Sequence, residues 1–463
     1  MSKEEAILIY TRPWFEEFYR VLAVQIEQAF RYKVVFFSDY AMKNVYNISP
    51  YKRNLKKLEV TPPPEYFDVI KRDRLLRTEH WPTALGVLNA YEVNIASLFA
   101  RYNVKFLFSA TVDQFAIDMC YRQCIKEKIP FIGYHLSVIP GYTLLTSRGE
   151  TNQFRIPSED EISAAIEEIA PKSFRPNYIP KKGKLRLVGF IRFFSNIARV
   201  PHFLLKDILD ERYNYHYKSS FKSACTKVSP SVIRAIFGSR IKLEPHKKFD
   251  IYIPLQLHPE CNSDYWNRDS KFIDYEDLIY DFCEKYGKSF QICMKEHPNM
   301  VGMRSTIFYK NLADLGVELA SFEEDNINLI NKSKVVVTYN SSVGIEGLIH
   351  KAQIYCIGNP YYLTDGHISS EKEMVNILTK SEVVPEKTVH TSHLREAVKK
   401  TLSMSLSGMI PDTVRIKNKK QKMEVELVAA SFANDLKKYF TEITAIKLRL
   451  ENVYTYKDSE IKR

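Results

Sequence analysis

Three short stretches in the second half of the chain place polar side chains directly after apolar runs that are typical of buried strands. They are residues 254–260 (PLQLHPE), 295–298 (KEHP) and 338–346 (TYNSSVGIE). Lys295 and His297 lie two residues apart, so on an extended strand they point to the same side. Together they could neutralise a phosphate and donate a proton to it. A lone His-Pro is more often a turn that ends a strand, but three such stretches favour a bound anion.

The third stretch runs directly into a predicted helix. Asn340, Ser341 or Ser342 can cap that helix, and the free N–H groups and dipole of a helix start favour an anion. The two hydroxyls and Gly344 would let a phosphate approach closely, and Glu346, about one turn in, could hold sugar hydroxyls. The alternative is an ordinary helix cap followed by a favourable first-turn acid.

Motifs for competing chemistries are absent from the sequence. There is no G-x-G-x-x-G, P-loop or G-x-S-x-G motif, and no D-x-D pair for a metal-bound nucleotide. His390 and His393 lack the partners that a zinc site needs. We therefore expect no cofactor and no metal, with cationic side chains and a helix dipole stabilising a leaving phosphate.

The elements that must position these residues alternate between short apolar strands and amphipathic helices. This pattern is typical of parallel sheets covered on both faces, whose ligands bind beyond the carboxyl ends of the strands. In the first half, Pro13 is expected to open a helix, and a second helix is predicted at 112–127. The predicted strands are 6–10, 34–37, 104–108 and 129–134, then 250–255, 290–294, 316–320, 334–338 and 354–357.

The predicted fold class is α/β, with two Rossmann-like, doubly wound domains that face each other across a cleft. A proline-rich, basic segment at 171–187 marks the change between them. The predicted divisions are an N-terminal (acceptor) domain at 1–170, a linker and helical insertion at 171–248, a C-terminal (donor) domain at 249–415, and a bracing helix with a polar tail at 416–463.

Composition narrows the function classes. The 463 residues are 45% hydrophobic and 26% charged, ordinary values for a globular protein. The net charge of +12 suggests an acidic partner, but no nucleic-acid motif accompanies the basic clusters, so we expect none bound. The seven scattered cysteines fit reduced thiols. The N-terminus does not have the pattern of a signal peptide, and no apolar run is long enough to span a membrane. We expect a cytoplasmic protein.

The three stretches, in this order, resemble the capsular polysaccharide synthesis family of bacterial surface-glycan proteins. The resemblance covers about 250–365. The matching residues are 254–260, 295–298, Arg304, Phe308, Tyr309, Leu312, Asn326, Leu329, Ile330, 340–346 and Gly358. The resemblance implies a GT-B-like fold related to the capsule Kdo transferases. It also implies sugar transfer from a nucleotide donor, with a CMP-sugar such as CMP-Kdo favoured, to a growing glycan or a lipid-linked primer.

The resemblance also implies roles for individual residues. His297 would bind the donor phosphate and assist its departure, and Ser341 and Ser342 would bind the same phosphate. The full set of donor-binding candidates is Gln256, Glu260, Lys295, Glu296, His297, Pro298, Asn340, Ser341, Ser342, Gly344 and Glu346.

The catalytic carboxylate is expected from the N-terminal domain, across the cleft. Asp113 follows a predicted strand and lies in the first turn of a helix, where its alternative role is to stabilise the helix dipole. Asp118 lies further along the same helix. Arg12 and His135 also follow strands and are candidates for holding an acidic acceptor, with ordinary polar loop positions as the alternative.

The expected function is that of a GT-B-type glycosyltransferase of bacterial surface polysaccharide synthesis, peripheral on the inner membrane. Its expected partners are a nucleotide-sugar, a lipid-linked or growing polysaccharide, the membrane surface and capsule assembly proteins. Two alternatives stay open: a nucleotide-sugar epimerase of the same fold, and a non-catalytic partner in capsule assembly or export. Nucleic-acid binding is the weakest alternative, supported by charge alone.

Overall fold

A computed structural model of the protein describes residues 3–55, 61–171, 185–237, 244, 246–267, 269–380, 390–411 and 416–447. Most of the predicted linker at 171–187, and the polar tail, lie outside these ranges. The strands are β1 (Glu5–Tyr10), β2 (Lys33–Ser38), β3 (Tyr46–Asn47), β4 (Asn103–Ala110), β5 (Phe131–Leu136), β6 (Tyr142–Thr146), β7 (Phe249–Pro254), β8 (Ile292–Lys295), β9 (Glu318–Ala320), β10 (Ser333–Thr338), β11 (Gln353–Cys356) and β12 (Ser405–Ser407).

Helices connect these strands and cover the sheets. They are α1 (Glu16–Phe30), α2 (Pro64–Arg72), α3 (Trp81–Arg101), α4 (Phe115–Glu127), α5 (Glu159–Ile169), α6 (Leu185–Leu209), α7 (Tyr215–Lys227), α8 (Pro230–Phe237), α9 (Cys261–Asp264), α10 (Tyr275–Tyr286), α11 (Thr306–Asp314), α12 (Asn326–Asn331), α13 (Val343–Ile349), α14 (Glu371–Thr379), α15 (His390–Ser403) and α16 (Lys419–Lys438). Among the described residues, no helix is both long and apolar enough to cross a membrane.

The strands form two sheets with the same central order. The first sheet runs β12-β6-β5-β4-β1-β2-β3, and the second runs β11-β10-β7-β8-β9. All pairs are parallel except β5 with β6 and β6 with β12. In each sheet the chain order reverses beside the first strand, which opens a crevice at its carboxyl end. The fold is therefore α/β and GT-B-like, with two Rossmann-like domains, as predicted.

The strand and helix positions follow from where the apolar residues fall. β1 buries every residue from Ala6 to Tyr10, as a central strand covered on both faces must. α1 buries Phe18, Leu22 and Ile26 on one face. The expected helix start at Pro13 is corrected, because residues 13–15 form a turn and α1 begins at Glu16.

The chain contacts the second domain before residue 170 and returns to the first sheet before residue 415. Inside the predicted first domain, Ile162 and Ala165 of α5 pack in one hydrophobic cluster with Leu394 and Ala397 of α15. Inside the predicted second domain, β12 pairs with β6 at the edge of the first sheet. The chain thus leaves the first sheet after β6 and returns at β12.

The last helix belongs to the first domain. Phe432 and Leu436 of α16 are buried in the same cluster as Phe18 and Phe106, and the rings of Phe30 and Phe440 lie 5.0 Å apart, edge to face. Its buried residues cover the outer face of the first sheet, where they pack with α1.

A segment of the second domain is anchored in the first. Tyr265, directly after α9, lies in the core cluster of the first domain, and its hydroxyl donates to Asp73 Oδ2 at 2.8 Å. Asp73 is fully buried, and Oδ2 also accepts the backbone N–H of Phe115 at 2.9 Å. Arg72 Nη1 reaches across to the carbonyl oxygens of Asp264 (3.0 Å) and Asn267 (2.7 Å). These contacts fix one side of the cleft.

Candidate active site in the interdomain cleft

Two adjoining cavities lie between the domains, at the carboxyl ends of the strands. The smaller cavity has a volume of about 570 Å³ and is lined by all three polar stretches found in the sequence. The larger cavity, of about 830 Å³, lies against the first sheet and the helices α6 and α7. The two share Leu257, Pro298, Asn299 and Phe322 as a common wall. A molecule in one cavity can therefore meet a molecule in the other.

The smaller cavity brings together ten of the eleven donor-binding candidates. The residues lining it are Gln256, Glu260, Lys295, Glu296, His297, Pro298, Asn340, Ser341, Ser342 and Glu346. Gly344 does not line the cavity. The space left by its missing side chain is occupied by a tyrosine. A Cβ at this position would overlap the hydroxyl of Tyr362, which itself donates to the carbonyl of Ser341.

The crevice of the second sheet lies between the ends of β7 and β10. Oε1 of Gln256, after β7, accepts the backbone N–H of Asn340, after β10, at 3.2 Å. The backbone N–H of Gln256 donates to the hydroxyl of Tyr275 at 3.0 Å. The side chain of Arg304 donates to the carbonyl of Gln256. The first and third stretches are thus tied together at the point where ligands of such sheets bind.

Arg304 also organises the second stretch. Its fully buried guanidinium pairs with Glu296 (Nε–Oε2, 2.9 Å) and with Glu276 (Nη1–Oε1, 2.9 Å). Tyr309 donates a further hydrogen bond to Glu296. Burial raises the pKa of Glu296, while the charge of Arg304 opposes that shift. Because Glu296 Oε1 accepts the backbone N–H of His297 at 2.6 Å, Glu296 holds the backbone that presents the histidine.

The hydrogen bonding of His297 indicates which ring nitrogen carries the proton. Nδ1 accepts the backbone N–H of Asn299 at 3.2 Å, which assigns the proton of the neutral ring to Nε2. Burial, together with the nearby charges of Lys295 and Arg304, lowers the pKa of His297 to about 4. The ring is therefore neutral at pH 7 and offers one N–H donor. A bound phosphate would favour the protonated form, because an opposite charge raises the pKa of a histidine.

The remaining polar groups frame the cavity around His297. Lys295 Nζ donates to the carbonyl of Glu324 at 2.8 Å and to Asn326 Oδ1 at 2.5 Å, so its charge is anchored beside the cavity. Ser341 Oγ accepts the N–H of Val343, the first residue of α13, at 3.2 Å. The side chain of Ser342, the N-cap residue, makes no capping bond.

In the first domain, Arg12 and Asp113 meet at the crevice between β1 and β4. Arg12 Nη1 donates to Asp113 Oδ2 at 2.8 Å, and Nη2 donates to Oδ1. Burial acts to raise the pKa of Asp113, but the charge and hydrogen bonds of Arg12 outweigh it and hold that pKa below its usual value. Arg74 Nη2 donates to the carbonyl of Asp113 at 2.7 Å. Asp118 is buried and pairs with Arg148 and Arg122.

The two acceptor candidates lie in different cavities. Arg12 lines the larger cavity and is paired with Asp113, whereas His135 lines the smaller cavity among the donor candidates. The ring of His135 packs edge to face against Trp266, with centroids 4.7 Å apart. Burial lowers the pKa of His135 to about 4. His135 is therefore a neutral side chain of the smaller cavity.

The carboxyl group of Glu260 has an unusually high pKa. Its pKa is raised to about 7, mainly by burial; the charge of Arg74 opposes the rise, and the charges of Asp264 and Asp113 contribute to it. Its side chain caps α9 by accepting the backbone N–H of Ser263. A carboxyl group with a pKa near 7 can accept or donate a proton at neutral pH. Sequence reasoning placed Glu260 among the donor-binding residues and missed this property.

The larger cavity is rich in cations that the sequence did not single out. They are Arg74, Arg192, Arg199, Lys222 and Lys227, in addition to Arg12. Burial lowers the pKa of Lys227, and the charges of Arg199 and Arg192 lower it further. An excess of positive charge in a cleft attracts anions. Along the described ranges, no group of three or more His, Cys, Asp or Glu side chains is arranged to hold a metal ion.

A family profile described as "Capsule polysaccharide biosynthesis protein" matches residues 149–404, more than half of the chain. The chain belongs to the capsule polysaccharide biosynthesis protein family. The matched range begins after β6 and ends before β12, so it covers the part of the chain that leaves the first sheet and returns to it. Every donor-binding candidate lies inside the range, whereas Arg12, Asp113 and His135 lie outside it.

Comparisons with individual proteins add no further assignment. No curated protein matches this capsule-family chain. Among solved structures, it is similar to the beta Kdo 2,7 transferase of Thermosulfurimonas dismutans KpsC, with 13% identity, a TM-score of 0.34, and coverage of 91% of this chain and 99% of that chain. It is also similar to the UDP-GlcNAc 2-epimerase of Methanocaldococcus jannaschii, with 12% identity, a TM-score of 0.21, and coverage of 85% of this chain and 97% of that chain. At these TM-scores neither likeness carries an argument about activity.

Proposed function

We propose that this capsule-family protein is a glycosyltransferase that moves a sugar from a nucleotide-sugar, a CMP-sugar such as CMP-Kdo, onto a polysaccharide acceptor. The observation that carries the proposal is the meeting of all three polar stretches in one cavity, at the crevice of the second sheet. That cavity offers a neutral His297 with its donor on Nε2, beside the charge of Lys295. Both suit a phosphate that gains negative charge as it leaves.

The acceptor occupies the larger cavity in this proposal. Its basic lining suits an acidic or phosphorylated acceptor, and the shared wall at Leu257 and Pro298 brings the acceptor next to the donor. This second cavity favours transfer over epimerisation, because an epimerase needs no second substrate. The acceptor hydroxyl attacks the anomeric carbon while the bond between the sugar and the phosphate breaks.

A carboxylate must take the proton of the acceptor hydroxyl. Asp113 was the expected base, but its pairing with Arg12 lowers its pKa and makes it a weak one. Glu260, with a pKa raised by burial to about 7, is better matched to proton transfer at neutral pH. The proposal therefore assigns the proton to Glu260, with Arg12 and Asp113 orienting the acceptor.

A thermal-shift screen against CMP, CDP, UDP, GDP and their sugar conjugates, with and without Mg²⁺, tests donor binding. A ligand at a hundredfold excess over Kd stabilises the native state by about 2.7 kcal/mol. We expect a shift with CMP ligands that needs no Mg²⁺ and is lost in His297→Ala. The matched control is His80→Ala, which removes an exposed histidine at the start of α3.

The other outcomes separate the alternatives. A thermal shift with UDP or GDP ligands alone would support the proposed donor site but show that the donor is not a CMP-sugar. Release of free nucleotide only when an acceptor is present would favour transfer, whereas conversion of a nucleotide-sugar into its epimer without an acceptor would favour the epimerase. If no nucleotide raises the melting temperature of the protein, and the His297→Ala variant restores glycan production to a deletion strain, the protein is a non-catalytic assembly partner and not an enzyme.

A further inference from the structure

Helix α6 exposes an unusual number of large apolar side chains. Each is between 40% and 78% exposed. They are Leu187, Phe190, Ile191, Phe194, Ile197, Leu204, Leu205, Ile208 and Leu209. Monomeric proteins rarely expose a contiguous apolar patch of more than a few hundred Å², and a larger patch marks a site of interaction.

These side chains lie on one face of the helix. At 3.6 residues per turn, all nine fall within an arc of roughly 140°. A second, buried side carries Phe193, Asn196 and Phe203. A third side carries Arg192 and Arg199, which line the larger cavity. The apolar arc is therefore separate from the contacts that hold α6 on the protein.

We propose that α6 lies in the plane of an anionic lipid bilayer, with its apolar arc among the acyl chains just below the headgroups. A helix with a wide apolar face and a basic opposite face binds membranes in this way. The arc carries Leu, Ile and Phe, which lack polar groups that would need partners in the acyl layer. This surface goes beyond the proposed function, since it would serve a transferase and a non-catalytic protein alike.

Charge complementarity favours an anionic membrane over a second protein. The chain has 67 Lys and Arg against 55 Asp and Glu. On the flank of α6, Arg192, Arg199, Lys222 and Lys227 gather around the larger cavity. Basic residues near an anionic leaflet add to membrane affinity within about a Debye length of its surface.

Membrane docking through α6 would also orient the cleft. Gly189, Arg192 and Asn196 of this helix form part of the wall of the larger cavity. When the arc is inserted, that wall lies beside the headgroup layer. An acceptor anchored in the bilayer could then enter the cavity without leaving the membrane.

Co-sedimentation with vesicles tests the proposal. The full chain is mixed with phosphatidylcholine vesicles with and without phosphatidylglycerol. We expect binding that phosphatidylglycerol strengthens and that the variant Phe194→Ser/Leu205→Ser/Ile208→Ser weakens by at least about tenfold, because three apolar side chains leave the interface. The matched control is Met423→Ser/Leu427→Ser, which changes residues of α16 that are 63% and 70% exposed; it should bind like the wild type.

A second measurement reports insertion directly. Tryptophan placed by Phe194→Trp should be quenched by lipids brominated on their acyl chains, beyond the quenching of the wild-type protein. Failure of the wild type to sediment with phosphatidylglycerol vesicles would overturn the proposal, as would full binding by the triple variant. A dimer that the triple variant turns into monomers, with no vesicle binding, would assign the arc to a second copy instead. Nucleotide thermal shifts should persist in the triple variant, which separates this test from that of the donor site.

Discussion

Arg304 offers the sharpest test of how the site is held together. Its side chain is fully buried, pairs with Glu296 and Glu276, and donates to the carbonyl of Gln256. Arg304→Met keeps most of the side-chain volume but leaves the buried carboxylate of Glu296 without its cation. Removing one partner of a buried ion pair costs about 3–5 kcal/mol. Glu296 keeps its hydrogen bonds to Tyr309 and to the backbone of His297, so we expect the lower end, about 3 kcal/mol.

The assay is urea unfolding followed by circular dichroism. Arg20→Met is the matched control, because Arg20 makes an exposed ion pair with Glu16 and should lose less than about 0.5 kcal/mol. The deficit of Arg304→Met should also depend on pH. Burial already raises the pKa of Glu296, and loss of Arg304 raises it further. A carboxyl whose pKa is higher in the folded state is most stabilising below its unfolded pKa and loses that contribution as the pH rises. The deficit should therefore be smaller at pH 5 than at pH 8.

Equal unfolding midpoints for Arg304→Met and Arg20→Met would refute the idea that Arg304 is the centre of a buried network. A deficit that does not change with pH would refute the assignment of the cost to Glu296. The double variant Arg304→Met/Glu296→Gln removes the uncompensated charge, so it should be more stable than Arg304→Met alone. That comparison is the direct measure of the coupling between the two side chains.

Two further predictions concern the first domain and the proposed base. Tyr265→Phe removes the hydroxyl that binds the buried Asp73, so it should lower the free energy of unfolding by about 1–3 kcal/mol; a cost within error of zero in urea unfolding would contradict this anchoring role. If Glu260 is the base, transferase activity should rise with pH through about 7, as its carboxyl ionises, and Glu260→Gln should remove that limb of the pH profile. Asp113→Asn should lower activity but keep the rise of activity with pH. If Asp113→Asn loses that rise and Glu260→Gln keeps it, Asp113 is the base instead.

The sequence predicted those features that local apolar patterns determine. The pattern predicted two strands well, at Ala6 to Tyr10 and just before Lys295. Both are central strands whose side chains are buried, so each appears in the sequence as a short apolar run. The polar stretches then lie at strand ends, where parallel sheets bind ligands. The long helix α3 was not predicted, because Ala84 to Leu88 are all buried and give no single apolar face.

Tertiary contacts explain what the sequence did not reveal. Arg12 and Asp113 are 101 positions apart, so their pairing cannot be read from local spacing. The raised pKa of Glu260 comes from burial between the domains. The three-residue strand β12, with serine at both ends, has no apolar run to mark it. Gly344 resembled a phosphate-approach glycine, but the space it leaves is filled by Tyr362.

The return of the chain to its first sheet has a consequence for biosynthesis. β12 and α16 complete the edge and the outer face of the first domain, yet both are translated after the whole of the second. During synthesis, Phe18 and Leu22 of α1 therefore cannot be covered until Phe432 and Leu436 have left the ribosome. The second domain can fold as a unit before the first is finished, which reverses the usual N-terminal-first order. Until then, the unfinished first domain presents an open sheet edge and an uncovered apolar face to chaperones.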